Sequence, residues 1–265
     1  MARIIYLILL GSALLMLYIK YIESKAVFFP QKQIEFFPSD ANLAFEDVLF
    51  NTPDGLKLNG WFIAQPGASY TLLLFHGNAG NIGHRLDKLL ALRPTGANIF
   101  IIDYRGFGKS EGRISEKGLY LDAQAAYDYL VEIRKIPPAQ IILYGESLGT
   151  AVSIDLAAKA GVRAIIVEGA FSKGRDMACR MYPFIPSFLF SDSYNSLKKI
   201  ARIDVPKLFI HSRDDEIVPF KLARKLYEAS RQPKEFAEIS GGHNSAFMDS
   251  KEQYISAIDA FIKKL

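Results

Sequence analysis

Cysteine is almost absent: Cys179 is the only one in 265 residues. A single thiol excludes an intramolecular disulfide and any Cys-based metal site, and with no histidine near it in sequence Cys179 reads as a small residue in a semi-apolar segment. Charge of one sign is also scarce. The formal balance is only +4, and the lysines and arginines are interleaved with the acids. That pattern lacks the basic stripe of a nucleic-acid binder. Histidine is limited to four positions, so imidazole chemistry has few candidates. What the chain does have is apolar content, 50% of its residues, enough for one large core.

Long uncharged runs are likewise rare, with one at the N-terminus. Residues 4–19, IIYLILLGSALLMLYI, carry no charge, and Lys20, Glu23 and Lys25 follow. The run is a little short of the roughly 20 residues that cross a bilayer, and Tyr18, Lys20 and Tyr21 extend it into the interface. No small-x-small cleavage site follows, which favours an uncleaved single-pass anchor over a removed signal peptide. The flanking cations are balanced and leave the side of the membrane open. The expected organisation is an anchor at 1–25, a Pro- and Phe-rich connector at 26–44, either on the membrane surface or packed on the domain, and one globular domain at 45–265.

Within that domain, FEDVLFNTPDGLKLNGWFIAQ reads as a hairpin turning at Asp54-Gly55, with Trp61 on its second strand. From Tyr70 onward short apolar runs alternate with amphipathic segments: TLLLF, NIFIIDY, QIILY, RAIIVE, KLFIH and EFAEI are each followed by a helical or longer connection. This is the pattern of an α/β protein with a mostly parallel sheet covered on both faces. Such sheets carry their sites at the carboxyl ends of the strands.

After QIILY stands GESLGTA, a Gly-x-Ser-x-Gly match at Gly145, Ser147 and Gly149. The motif is common by chance, but here a strand precedes it and a helix follows, which places Ser147 on a tight turn where glycines avoid backbone collision. The alternative is a serine in an ordinary helix cap. A serine hydroxyl becomes a nucleophile only when a base takes its proton and an acid orients the base. His76 and His211 close apolar strands and His84 sits beside Arg85, whereas His243 lies in SGGHNSAF, after the last strand and after the acids of HSRDDEIVP. His243 is therefore the candidate base. The acid comes from Asp214, Asp215 or Glu216; one points at the imidazole and the others face solvent or cap the helix near Pro219. A metal reading of the three carboxylates fails for want of partner ligands with a spacing signature, and no cofactor is called for. For the oxyanion, the N–H of Leu148 supplies one donor, and the loop HGNAGN supplies the other through Asn78, with Ala79 second.

Taken together, FHGNAGN, IIDYRGFGKSEG, YGESLGTA, HSRDDEIVP and GGHN resemble the serine α/β-hydrolases. They resemble most the membrane-anchored branch of α/β-hydrolase-domain proteins, over nearly the whole chain. The resemblance implies the α/β-hydrolase fold, an eight-stranded, mostly parallel sheet with helices on both faces, and serine hydrolase activity. Its penultimate-strand motif, H-G-x-x-D-x-x-V-P, laid from His211 to Val218 and Pro219, puts the acid on Asp215 and leaves Asp214 as the alternative. Ser212 departs from the family glycine. Ser147 at the elbow argues against dehalogenase and epoxide-hydrolase relatives, which use aspartate there.

The longest connection, a short lid-like segment at 170–204, is dense in apolar and aromatic residues, including Met181, Tyr182, Phe184 and Phe188. These either pack the segment on the sheet or wall a pocket for an acyl chain. The expectation is hydrolysis of an ester or thioester with an apolar acyl group through an acyl-serine intermediate, on a small-molecule or lipid substrate. The competing expectations are a peptidase, with Glu146 and Glu168 as amine-recognising acids, and a silent membrane-tethered scaffold.

Overall fold

The computed structural model describes residues 1–23 and 27–265, with the backbone alone described at Ala2 and Ile8. The expected boundary between anchor and connector, at residues 25 and 26, lies outside the described residues. The strands are β1 (Phe29–Pro30), β2 (Glu46–Asn51), β3 (Lys57–Ile63), β4 (Thr71–Phe75), β5 (Ala79–Gly80), β6 (Asn98–Ile102), β7 (Ile141–Glu146), β8 (Ala164–Glu168), β9 (Lys207–Ser212) and β10 (Lys234–Ile239). The helices are α1 (Ala2–Tyr21), α2 (Leu86–Leu92), α3 (Glu116–Asp128), α4 (Leu148–Ala157), α5 (Gly174–Met181), α6 (Ser196–Ile200), α7 (Phe220–Ala229), α8 (Ala246–Asp249) and α9 (Lys251–Ile262).

Eight strands form one mixed sheet in the order β10-β9-β8-β7-β4-β6-β3-β2. From β10 to β6 every pair is parallel, while β3 is antiparallel to both β6 and β2. The antiparallel edge is the hairpin that Asp54-Gly55 announces. The inner parallel strands β4, β6, β7 and β8 are mostly apolar because both faces are covered, whereas β10, at the edge, is half-buried and carries Lys234, Glu235 and Glu238. In β4, Leu73 and Phe75 enter one cluster with α3 and α4, and Leu72 and Leu74 enter the other with α2 and α9. Strand alternation makes that division, and each such side chain contributes about 1.5–3 kcal/mol of burial.

From β4 the chain crosses to β6 on one side and then returns to β7 on the other. The carboxyl ends of β4 and β7 are neighbours, with Phe75 paired to Gly145. The loops HGNAGN and GESLG therefore leave the sheet side by side, at its switch point.

The connector packs on the domain. Phe28 is buried, and the Phe37 ring lies 5.7 Å from that of Trp61, itself fully buried. β1 and β5 make a separate parallel pair, Phe29 with Ala79 and Pro30 with Gly80. α1 is long and apolar enough to cross a membrane, and most of its side chains are exposed.

Candidate active site

Ser147 stands between β7 and α4 with φ 51° and ψ −113°. A non-glycine residue held at positive φ stores strain of order 1–3 kcal/mol, so its surroundings must impose it. A β-carbon at Gly149 would collide with the carbonyl of Phe75, and one at Gly145 with the Gly149 carbonyl and the Ser153 hydroxyl. Glycine at both positions lets α4 close against β4 and β7. The Ser147 N–H donates to the Glu168 carbonyl at 2.9 Å, which ties the turn to β8.

His243 reaches this turn from the loop after β10. Its Nε2 is 3.0 Å from the Ser147 hydroxyl and its Nδ1 is 2.7 Å from Asp215 Oδ2. With the proton on Nδ1, the ring donates to Asp215 and accepts from Ser147. Asp215 Oδ1 accepts from the N–H groups of Ile217, at 3.0 Å, and Val218, at 2.6 Å. These bonds leave its other oxygen directed at the imidazole.

The two neighbouring acids do not simply face solvent or cap α7. Asp214 Oδ2 accepts from the N–H of Gly241 at 3.2 Å, and Glu216 Oε2 from the N–H of His243 at 3.0 Å. All three carboxylates hold the loop that carries His243. His211, at the end of β9, donates from Nε2 to the Val218 carbonyl at 2.9 Å and lies 3.4 Å from Asp215 Oδ2. It buttresses the acid turn from below, a contact that sequence spacing alone did not suggest.

Burial disfavours charge on His243, but the hydrogen bond and charge of Asp215, with Glu146 and Glu168 behind, outweigh it and hold its pKa above the ordinary value of 6.5. Burial likewise opposes ionisation of Asp215, and the bond and charge of His243, followed by the Val218 N–H, bring it below the usual carboxylate value. Buried His211 is pushed the other way, towards neutrality.

A cavity of about 410 Å³ opens beside Ser147. Leu148, Asn78 and Ala79 all line it. Leu148 is the first residue of α4, where N–H groups lack intrahelical partners. Asn78 is held from the connector side: its carbonyl accepts from the Phe29 N–H at 3.0 Å and its side-chain amide donates to the Val27 carbonyl at 2.5 Å. Of the four wall candidates, Met181 and Tyr182 line the cavity, whereas Phe184 and Phe188 stand outside it and are exposed. The sequence reading missed the wall supplied by Ile22, Val27, Phe28 and Phe29. Only the apolar character of AVFF hinted at it.

The acids considered for amine recognition are already engaged. Glu168 takes two bonds from Lys88 Nζ, at 2.7 and 2.8 Å, and one from the Tyr144 hydroxyl. Glu146 lies 3.6 Å from Arg85, and that cation, with Lys88 behind it, outweighs burial and lowers the Glu146 pKa.

Residues 70–184 match the family model of the α/β-hydrolase fold. The chain is 33% identical to the α/β-hydrolase domain-containing protein WAV2 of Arabidopsis thaliana, over 97% of this chain and 92% of that one. It is also 33% identical to the uncharacterised protein Rv2307c of Mycobacterium tuberculosis, over 88% and 87% of the two chains. Among solved structures it superposes on the esterase Pf2001 of Pyrococcus furiosus with a TM-score of 0.75 at 22% identity, covering 89% of this chain and 98% of that one.

Proposed function

The chain belongs to the α/β-hydrolase family, and on that premise we propose that it is a serine hydrolase that cleaves carboxylic esters or thioesters with an apolar acyl group. The observation that carries this is the line of Ser147, His243 and Asp215, joined at 3.0 and 2.7 Å beside an apolar cavity.

The Ser147 oxygen attacks the acyl carbonyl while His243 Nε2 takes its proton. Asp215 orients the ring and stabilises the imidazolium. The negative oxygen of the tetrahedral intermediate is received by the N–H of Leu148 and by that of Asn78 or its neighbour Ala79. As the C–O or C–S bond breaks, His243 returns the proton to the leaving group. Water then repeats the sequence on the acyl-serine and frees the acid. The proposal places α1 in a membrane as an N-terminal anchor and uses no cofactor.

Apolar selectivity is supported by the lining of Leu148, Phe171, Met177 and Met181. Amide cleavage with recognition of an amine is less well supported, because Glu146 and Glu168 are paired with Arg85 and Lys88. The test is fluorophosphonate labelling of wild type and Ser147→Ala, followed by hydrolysis of a p-nitrophenyl ester series. Wild type alone is expected to label and to prefer longer acyl chains. Equal labelling of the two proteins refutes the nucleophile.

A further inference from the structure

The foot of α1 is built into the cavity. Along the helix the described apolar side chains are exposed as far as Tyr18, yet Ile19 is 1% and Ile22 is 3% exposed. The change is confined to one face: Ile19 and Ile22, three residues apart, are buried, while Lys20 and Tyr21 between them stay exposed. Ile22 and Glu23 line the cavity beside Ser147, and Phe29 continues the same wall. Glu23 accepts a hydrogen bond from the Ser191 N–H at 2.6 Å, which ties the helix foot to the segment that forms the opposite rim.

That rim faces outward with aromatic rings. Phe184 is 97% and Phe188 is 77% exposed, in a stretch stiffened by Pro183 and Pro186, and Met181 spans from the cavity lining to the surface. Exposed rings of this size beside a bare apolar helix mark an interaction surface. The partner that fits is the one α1 itself enters. With a rise of 1.5 Å per residue, Ile22 stands about 6 Å along the axis from Tyr18, so a bilayer that holds the helix up to Tyr18 comes within about one helical turn of the cavity wall.

We infer that the site draws its substrate sideways from the bilayer that holds α1. The ester or thioester is a lipid whose acyl chain stays in the hydrocarbon until it passes between the helix foot and the Met181 rim to Ser147, while Phe184 and Phe188 sit among the acyl chains. This rests on the hydrolase and anchor readings above and adds the route and the physical state of the substrate.

The full chain is reconstituted in phosphatidylcholine vesicles. p-Nitrophenyl palmitate is supplied either in the same vesicles or in separate ones, and p-nitrophenyl butyrate is supplied in the water. Palmitate in the same vesicle is expected to be cleaved at least about tenfold faster than palmitate in separate ones. In the double variant Phe184→Ser, Phe188→Ser the ratio of vesicle-borne palmitate to aqueous butyrate hydrolysis is expected to fall at least about fivefold. Trp61 is the only tryptophan and is fully buried, so fluorescence of Phe184→Trp reports the rim directly. Brominated phosphatidylcholine is expected to quench it. Equal rates from the same and separate vesicles, an unchanged ratio, or no quenching overturns the bilayer route while leaving the hydrolase standing. A chain that fails to float with vesicles overturns the anchor reading and the route together. Absence of Ser147-dependent labelling overturns the hydrolase reading instead.

Discussion

The loop at 240–245, on one flank of Ser147, is gripped by side chains, whereas the loop at 76–81, on the other flank, is gripped by main chain. Three successive carboxylates hold the first: Asp215 the imidazole of His243, Glu216 its N–H, and Asp214 the N–H of Gly241. The second is sewn to the connector. Phe29 N–H donates to the Asn78 carbonyl at 3.0 Å and Gln31 N–H to the Gly80 carbonyl at 2.9 Å, while the Asn81 amide donates to the carbonyls of Gln31 and Gln33. The role of base proposed for His243 requires a ring that is orientable and charged in turn, and groups with their own electrostatics surround it. The oxyanion role proposed for the other loop requires fixed dipoles, which a short ladder can hold in place.

Point substitutions should therefore break the first flank readily and the second only where they remove a connector N–H or one of the Asn78 and Asn81 side-chain amides. Asp215→Asn is expected to lower kcat by about 10⁴-fold, the scale found when a triad acid no longer fixes the tautomer. Steady-state hydrolysis of a p-nitrophenyl ester measures it, and a larger loss from Asp214→Asn would transfer the role to that residue. On the other flank, Gln31→Pro removes the donor to Gly80. A fall in kcat of about 10- to 100-fold with KM little changed is expected if the ladder holds an oxyanion donor, and Gln31→Gly, which keeps the N–H, should stay near wild type. Glu216→Ala is expected to cost about tenfold, the value of a charge-assisted hydrogen bond that positions the base. Near-wild-type kinetics would show that Asp215 holds His243 unaided. The smallest effect is expected from Glu146→Gln. Its charge helps hold the His243 pKa above 6.5, and the base works only when unprotonated, so the acidic limb of kcat/KM should stand above 6.5 in wild type and move to lower pH in the variant. A pH profile measures this, and an unmoved limb removes Glu146 from the electrostatics of the base.

The same division governs what could be read from the sequence. Side-chain chemistry leaves residue types behind. Ser147 announced itself by Gly145 and Gly149 and His243 by its place after the last strand; Asp215 is picked out among three acids only through the family resemblance, by its register from His211 to Pro219, and the structure brings Ser147, His243 and Asp215 together. The mostly parallel sheet followed from alternating apolar runs, because a strand covered on both faces has little choice of residue; its eight strands followed from the family resemblance, and their order was not legible. Main-chain bonding leaves no such trace. β1 and β5 are two residues long and contain Pro30 and Gly80, neither of which reads as strand. The placing of Phe184 and Phe188 was illegible for another reason: an aromatic residue in a Pro-rich segment looks the same whether it walls a cavity or stands outside it.

The pairing of Phe29–Pro30 with Ala79–Gly80 also bears on where the protein can be cut. A fragment begun at Phe45, at the edge of the large sheet, would keep every strand of that sheet and much of its core. It would also present a well-formed nucleophile turn beside an unbraced HGNAGN loop. A fragment begun just ahead of Val27 keeps the brace and discards the helix. The two would be hard to tell apart by expression, solubility or helix content. On the proposed mechanism they would part company in turnover, so for engineering purposes the proposed catalytic body is best begun at the connector.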